Sequence, residues 1–435
     1  MKKNTTKVKI LFSIVFILLL LGLLVSENLA FSKEKAHKQV TQDLIDLVKN
    51  NPEIKQMLVA SITKAKKVNP DLKTNPVQSL SDYYDYIDNA VELIPQNILK
   101  NPANLTRDQI LQSICYFYFL IDQPLPELKG KGLFNHSLQY YPPFSAWVHR
   151  FVNAWGDFLN TEKSWDQKTY QGYYNDPRFG LQKGWYESSS HWKTFNAFFS
   201  RYLKSIDARP IASPEDPTIV VAPADSVPQG AWAIDKDSNI NVAGGLKIKL
   251  TTFYNVNDLL SSDSQYKNAF ANGVFTHMFL NVNDYHRYHF AVGGTIKEKK
   301  NIAQNVALEV LWDQQQNKYV PIVSTGWQFT QTRGYVIVDT GKYGLVALIP
   351  MGMAQVSSVN FEENIKPGIT HKKGSMLGNF LFGGSDFVML FQNKAGFEIN
   401  APKVKQTTTK TDQKLADIYQ HILMGEKYGV MHGMP

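Results

Sequence analysis

The second half of the chain, from Thr218 onward, is a succession of short runs rich in β-branched and aromatic residues. Turn residues separate these runs at short intervals: TIVVAPAD, LKIKLTTFY, VFTHMFLNV, VALEVLW, YVPIVST, GYVIVDT, GLVALIPM and NFLFGGSDFVMLF. Short runs of this composition, bounded by turn signals, predict β-strands with few long helices between them. The second half is therefore predicted to be sheet-rich.

Residues 33–165 have a helical pattern instead. In the segment YYPPFSAWVHRFVNAWGDFLNT, Phe144, Trp147, Phe151 and Trp155 recur every three or four residues, which is typical of a helix face packed on a core. With 435 residues and 43% hydrophobic composition, the chain can bury a large core and form more than one domain. The two patterns predict an α+β fold, in which a helical N-terminal domain precedes a β-rich domain.

The N-terminal residues 1–30 have the layout of an export signal. Four lysines precede a stretch of uncharged, mostly apolar residues from Ile10 to Val25. This stretch is slightly short for a bilayer span, so a cleaved signal peptide and a retained membrane anchor both stay open. Either one predicts an exported protein, membrane-associated or in the extracytoplasmic space. The net charge of +8 is modest and dispersed, and it does not indicate a nucleic-acid partner.

Residues 401–435 are predicted to form a linker and a short amphipathic C-terminal helix within LADIYQHILMGEKYGVM.

A second local feature is the stretch Gly383-Gly384-Ser385-Asp386, which lies between the strand-like residues 380–382 and 387–391. Glycine tolerates positive φ, and serine and aspartate are common in turns, so the four residues locally predict a tight hairpin turn or a bulge.

Three groups of residues in the β-rich half carry a more specific signal: Asp225 in IVVAPADSVPQG; Asp284, His286, Arg287 and His289 in NVNDYHRYHFAVGGTI; and Gly383, Gly384 and Ser385. In this order they resemble the phosphatidylserine decarboxylase family, whose members carry an S-P-x-D-G segment, a D-Y-H-R-x-H segment and a late G-S-T or G-G-S-T. The segment TFNAFFSRYLKSIDARPI, residues 194–211, is similar to the family's entry to the domain. The resemblance predicts a catalytic domain over residues 190–400. The segment AWGDFLNTEKSW also resembles the extra N-terminal domain of a subgroup that includes aromatic amino-acid decarboxylases.

The resemblance implies self-cleavage between Gly384 and Ser385. In this family the serine hydroxyl attacks the preceding carbonyl, the resulting ester eliminates, and the new N-terminus hydrolyses to a pyruvoyl group with loss of ammonia. Ser385 would thus become a covalent cofactor that condenses with a substrate amine and accepts the electrons left by carbon dioxide. Gly384 suits this chemistry because a residue without Cβ lets the hydroxyl reach the carbonyl.

The resemblance also implies roles for the neighbouring residues. His289 is the expected base for the Ser385 hydroxyl, and Asp225 is expected to orient the His289 ring and favour the imidazolium. For His286, a packed and hydrogen-bonded structural role and protonation of the product carbanion are both open. Arg287 is expected to pair with a nearby carboxylate such as Asp284, and binding of the substrate is the alternative role.

Three departures from the family pattern stand out. Asp386 occupies the position of the usual threonine, Ser226 follows Asp225 where glycine is usual, and HFAVGG lacks the proline expected after the second histidine. A carboxylate at 386 beside the scissile carbonyl would oppose the oxyanion, whereas a side chain turned to solvent would be a turn residue only.

The expected substrate is phosphatidylserine, converted to phosphatidylethanolamine with release of carbon dioxide. A free aromatic amino acid such as tryptophan is the alternative, and a non-catalytic relative that acts as a binding module is a third reading. A metal site made of Asp284, His286 and His289 has little support, because the i, i+3 histidine spacing in strand-like sequence offers no clear third ligand. The remaining expected partners are a membrane surface, the self-derived large and small chains, and a second copy in a homodimer.

Overall fold

The computed structural model of the protein describes residues 36–96, 109–130, 136–240, 255–322, 327–353, 359–404 and 419–434. Across these residues, seven α-helices all lie before residue 200 and fifteen β-strands all lie after residue 218. The α+β prediction is therefore confirmed. The predicted signal or anchor, residues 1–30, lies outside the described residues, and no helix within them is long and apolar enough to cross a membrane.

The helices are α1 (Gln39–Asn50), α2 (Pro52–Val68), α3 (Leu80–Ala90), α4 (Gln109–Ile121), α5 (Pro142–Leu159), α6 (Gln167–Tyr174) and α7 (Phe195–Phe199). Helix α5 begins at Pro142, in a position where proline is favoured because its missing N–H has no partner to lose. Its four predicted core aromatics are all buried, with at most 2% of each residue exposed. The predicted core face of this helix is confirmed.

The strands are β1 (Ile219–Val221), β2 (Val227–Ala233), β3 (Val274–Leu280), β4 (Arg287–His289), β5 (Gly294–Ile302), β6 (Val310–Asp313), β7 (Lys318–Pro321), β8 (Arg333–Asp339), β9 (Leu345–Met353), β10 (Val359–Phe361), β11 (Thr370–His371), β12 (Met376–Phe380), β13 (Gly384–Phe391), β14 (Phe397–Ile399) and β15 (Lys427–Met431). The largest sheet has the order β11-β5-β8-β9-β13-β3-β2, and smaller sheets have the orders β10-β12-β4, β1-β15-β14 and β6-β7. Strand β13, which contains the predicted cleavage site at its start, is an interior strand of the largest sheet.

Strand β13 separates two apolar layers. Phe387, Met389 and Phe391 pack into a core shared with the helices, whereas Val388 and Leu390 pack into a second core on the other side of the sheet. This alternation follows from the two-residue period of a strand. Consequently, consecutive residues of β13 face different surroundings.

The helical and β-rich parts share hydrogen bonds as well as a core. The Gln112 side chain on α4 donates to the Tyr319 carbonyl and accepts from the Tyr319 N–H, each over 2.8 Å. The Val310 N–H donates to the Asp122 carboxylate over 2.9 Å. These contacts bind the β6–β7 hairpin to α4 and join the two parts.

The hairpin predicted at residues 383–386 is wrong. Strand β12 pairs with β4 and β10, whereas β13 pairs with β3 and β9, so the two strands flanking this stretch belong to different sheets. The chain turns at residues 381–383, and Gly383 has φ +149°, a conformation that favours glycine. Gly384, Ser385 and Asp386 are already part of β13.

The predicted C-terminal helix is also wrong within residues 419–434, while residues 405–418 lie outside the described part. Residues 427–431 form β15, which pairs with both β1 and β14. Gly425 has φ +90°, which a right-handed helix does not accommodate. The strand is favoured because its pairing on both edges satisfies its backbone groups.

Candidate active site

Ser385 is the second residue of β13 and is fully buried. It pairs in register with Gly352 on β9 and with Leu280 on β3. The turn before it is held by Phe382, whose N–H donates to the Asn196 side chain of α7 over 3.1 Å. The Ser385 hydroxyl has no hydrogen-bond partner among the described residues. A buried hydroxyl without a partner costs free energy, and such groups are often functional.

His289 lies on β4 and makes two hydrogen bonds. Its Nδ1 is 2.8 Å from the Gly374 carbonyl oxygen, and its Nε2 is 3.2 Å from the Tyr285 hydroxyl. A carbonyl oxygen can only accept, so Nδ1 carries the hydrogen and Nε2 presents a lone pair to the Tyr285 O–H. Burial lowers the pKa of His289 to about 4. The ring is therefore neutral near pH 7, and Nε2 can accept a proton.

Asp225 has different partners from those predicted. Its carboxylate accepts two hydrogen bonds from the Arg209 guanidinium, over 2.9 and 2.6 Å, and one from the Met424 N–H over 2.8 Å. The prediction that Asp225 orients the His289 ring by direct contact is wrong, because the Gly374 carbonyl does so. Asp225 still acts through its charge: it raises the pKa of His289, against the larger opposing effect of burial.

His286 is completely buried, and its ring stacks on Phe199 at a centroid distance of 3.8 Å. The Phe199 ring also contacts Phe382, which comes three residues before Ser385. Neither ring nitrogen of His286 has a hydrogen-bond partner among the described residues. Burial and the positive charge of Arg201 hold its pKa well below the usual value. The ring is therefore packed as the structural interpretation expects, and both that interpretation and protonation of the product carbanion stay predictions.

No hydrogen bond joins the Ser385 hydroxyl to either His286 or His289, since that hydroxyl is among the unpaired groups of the described chain. Strand β4 nevertheless lies against the segment that leads to Ser385. The Phe380 N–H donates to the His286 carbonyl over 2.9 Å, and the Tyr288 ring contacts Phe387 at 5.8 Å. These contacts place β4 beside the segment that leads to the predicted cleavage site.

Arg287 pairs with a carboxylate as predicted, but that carboxylate belongs to Glu362 and not to Asp284. Arg287 donates to the Glu362 carboxylate over 3.2 Å and to the Ser200 carbonyl over 2.7 Å. Asp284 instead contacts His421 over 2.8 Å. Sequence reasoning missed both partners because neither lies near the D-Y-H-R-x-H segment.

Asp386 is fully buried, and one of its oxygens lies 2.7 Å from Nε2 of His277 on β3. The expectation of a solvent-facing turn residue is therefore wrong. By the alternation of β13, the Asp386 side chain lies on the opposite face of the sheet from the Ser385 side chain, with Val388 and Leu390. Its carboxylate is directed at His277.

The alternative interpretation, a metal site made of Asp284, His286 and His289, has no geometric support among the described residues. Across the described ranges, the side chains whose ligand atoms converge closely enough for a shared ion are His37, Asp85 and Asp88, at the start of the helical part.

The sequence model of the family described as phosphatidylserine decarboxylase matches residues 195–429, more than half of the chain. The chain belongs to this family. It is therefore a carboxy-lyase, and the matched range includes Asp225, His286, His289 and Ser385.

Curated relatives agree with this assignment. A phosphatidylserine decarboxylase proenzyme of Alcanivorax borkumensis is 31% identical over 294 residues, which are 62% of this chain and 90% of the relative. A phosphatidylserine decarboxylase proenzyme of Fusobacterium nucleatum is 30% identical over 243 residues, 54% of this chain and 69% of the relative. A protein named decarboxylase iboD, from Amanita muscaria, is 26% identical over 308 residues, 64% of this chain and 85% of the relative.

Proposed function

We propose that this decarboxylase is pyruvoyl-dependent and cuts its own chain between Gly384 and Ser385. The observation that carries the proposal is the buried, unpartnered hydroxyl of Ser385 directly after Gly384 at the start of β13. A nucleophile kept free of other hydrogen bonds is available for attack on the adjacent carbonyl. The pyruvoyl group formed from Ser385 would supply a carbonyl that takes up the substrate amine and withdraws electrons from the bond to the departing carboxylate.

The proposed proton acceptor is Nε2 of His289. This nitrogen holds a lone pair toward the Tyr285 hydroxyl, so it must exchange that contact for the Ser385 hydroxyl when cleavage begins. The negative charge of Asp225, itself fixed by Arg209, favours the protonated ring that results. Asp225 would thus act by electrostatics and not by a hydrogen bond to the ring.

His286 is proposed to serve the later decarboxylation. Its buried, neutral ring has two nitrogens without partners and stacks on Phe199, which fixes the ring plane. Such a ring could relay a proton, with one nitrogen giving its hydrogen to the carbanion while the other nitrogen takes up a proton from solvent, so that the ring stays neutral.

The proposed substrate is phosphatidylserine, which would yield phosphatidylethanolamine and carbon dioxide. The names and the coverage of the two bacterial relatives support this choice. Export and association with a membrane surface, proposed from residues 1–30, would bring the enzyme to its lipid.

A free amino acid is the second candidate substrate. A groove of 160 Å³ runs between α5 and the segment before the predicted cleavage site, and Trp155, Asn196 and Phe382 are among its lining residues. The helical part therefore lies against the cleavage segment, where it could restrict the substrate to a small molecule.

A direct assay separates the candidates. Purified protein is given phosphatidylserine vesicles and free aromatic amino acids in parallel, and released carbon dioxide is measured, with Ser385→Ala as the inactive control. We expect release from the vesicles that depends on Ser385. Release from tryptophan alone would favour the second candidate, and an uncut wild-type chain without release from either would favour the binding module.

A further inference from the structure

The chain downstream of the predicted cleavage site returns to the segment that carries Asp225. Ser226 and Ile422 exchange two backbone hydrogen bonds, each of 2.9 Å. Ala222 is bound in the same way, since it donates to the Glu426 carbonyl over 2.8 Å and accepts from the Gly425 N–H over 3.0 Å. We call residues 419–431 the C-terminal clasp. The clasp therefore pairs with both ends of the segment from Ala222 to Ser226.

The clasp also contacts two buried carboxylates. Its Met424 N–H donates to Asp225 over 2.8 Å, and Nε2 of its His421 lies 2.8 Å from Asp284. Asp225 and Asp284 are only 3% and 4% exposed, respectively. A buried carboxylate depends on its hydrogen-bond donors to stay charged and in place. Loss of the clasp would remove one donor from each.

The clasp packs against Arg209 as well, the other residue that holds Asp225. Gly425 accepts from the Ala212 N–H over 2.8 Å, and a Cβ on Gly425 would come within 2.7 Å of the Pro210 carbonyl oxygen. Asp225 is therefore held both by Arg209 and by the clasp. Their positions are coupled by this close backbone approach.

We propose that the C-terminal clasp completes the self-cleavage site, with His421 as a positioning residue, so that the chain cuts itself only after the clasp has docked. This rests on the proposed self-cleavage at Gly384–Ser385. Docking would fix Asp225 through the Met424 N–H, and it would fix Asp284 at the start of the D-Y-H-R-x-H segment through His421. The clasp lies downstream of Ser385, so cleavage would follow synthesis and folding of the residues beyond it.

The contact between His421 and Asp284 gives this coupling a pH dependence. The charged groups around His421 are Asp284, Asp225 and Glu426, and Arg209 is paired with Asp225. The hydrogen bond to Asp284 raises the pKa of His421. The protonated ring binds Asp284 most strongly, so the contact is strongest below the usual histidine pKa of about 6.5 and weakens as the pH rises through the raised pKa. Cleavage should slow in the same range.

The test follows cleavage of newly made full-length protein. The chain is translated in a cell-free system, synthesis is stopped, and the appearance of the small chain is timed by intact-mass spectrometry from mildly acidic to alkaline pH. The variants are His421→Ala, His421→Gln and the control His432→Ala, which removes an exposed histidine paired with Glu398 in the same part of the chain.

We expect His421→Ala to slow cleavage about tenfold or more near neutral pH, because it removes a hydrogen bond to a buried carboxylate. His421→Gln keeps an N–H donor, so it should restore the neutral rate and abolish the alkaline decline, while His432→Ala should behave as wild type. Wild-type rates for His421→Ala at every pH, or an unchanged alkaline decline in His421→Gln, would overturn the clasp proposal. A wild-type chain that never cuts would instead refute self-cleavage itself.

Discussion

Replacing Asp386 by alanine should destabilise the protein by about 1–5 kcal/mol and leave self-cleavage nearly unchanged. The side chains of Asp386 and His277 are only 1% and 4% exposed, and their polar atoms lie 2.7 Å apart. The loss of a buried charged pair sets the upper end of this range, about 3–5 kcal/mol. A neutral hydrogen-bonded pair would reduce the loss to about 1–3 kcal/mol.

The second oxygen of Asp386 has no hydrogen-bond partner among the described residues, so His277 is the partner that fixes the carboxylate. The double variant with His277→Ala should therefore lose less stability than the sum of the two single variants. Cleavage should be spared because the Asp386 side chain lies on the face of β13 opposite the Ser385 side chain.

The assay is urea unfolding followed by circular dichroism in a Ser385→Ala background, so that every protein compared is a single uncut chain. Cleavage is timed separately with Ser385 intact. We expect Asp386→Thr to lose stability as well and to cleave its own chain at about the wild-type rate. The opposite result is unchanged stability in Asp386→Thr, with faster cleavage and a flatter pH dependence of the cleavage rate. It would mean that the carboxylate faces the Gly384 carbonyl, and it would refute the reasoning.

Three further predictions concern Asp225, whose charge acts on the predicted base, and the base His289 itself. Arg209→Met should slow cleavage at least about tenfold, because it leaves the buried Asp225 carboxylate with only the Met424 N–H as a donor. Timed mass spectrometry of the small chain checks this, and an unchanged cleavage rate would contradict it. Cleavage should lose half its rate on acidification near the His289 pKa of about 4, and not near the unperturbed value of about 6.5. Because the folded ring binds a proton less readily than the unfolded one, stability should also fall by up to about 3 kcal/mol as the pH drops from about 6.5 to 4. Urea unfolding at several pH values should show a smaller loss in His289→Gln than in the parent protein, because the lowered pKa of His286 contributes its own part in both.

The sequence predicted features that depend on local spacing. The aromatic face of α5 could be recognised because a helix repeats every 3.6 residues, and the β-rich half because strand residues and turn residues alternate along the chain. The residues of the predicted site were also recognisable, since Asp225, His289 and Ser385 lie in motifs of fixed order. These predictions needed no knowledge of which segments meet in space.

The contacts between segments could not be predicted in this way. His289 contacts Gly374, Arg287 contacts Glu362 and Asp284 contacts His421, at separations of 85, 75 and 137 residues, respectively. Many carboxylates and carbonyls along the chain would have satisfied the same donors equally well. Only the packing of β4 against β12 and the return of the C-terminal clasp select these partners.

The two wrong secondary-structure predictions have a related cause. Residues 380–391 look like a hairpin locally, but their two strands pair with different neighbours, which are distant in sequence. The spacing of apolar residues in the C-terminal segment suits a helix or a strand, and the available edges of β1 and β14 decide for the strand.

The central claim is that Ser385 becomes the N-terminal pyruvoyl group of a separate small chain. Intact-mass spectrometry of purified, active protein tests it most directly, with Ser385→Ala as the control. The account predicts a large chain that ends at Gly384 and a small chain of residues 385–435 with a blocked N-terminus, and a single uncut, inactive chain for Ser385→Ala. A single uncut chain in wild-type protein that releases carbon dioxide would contradict the account.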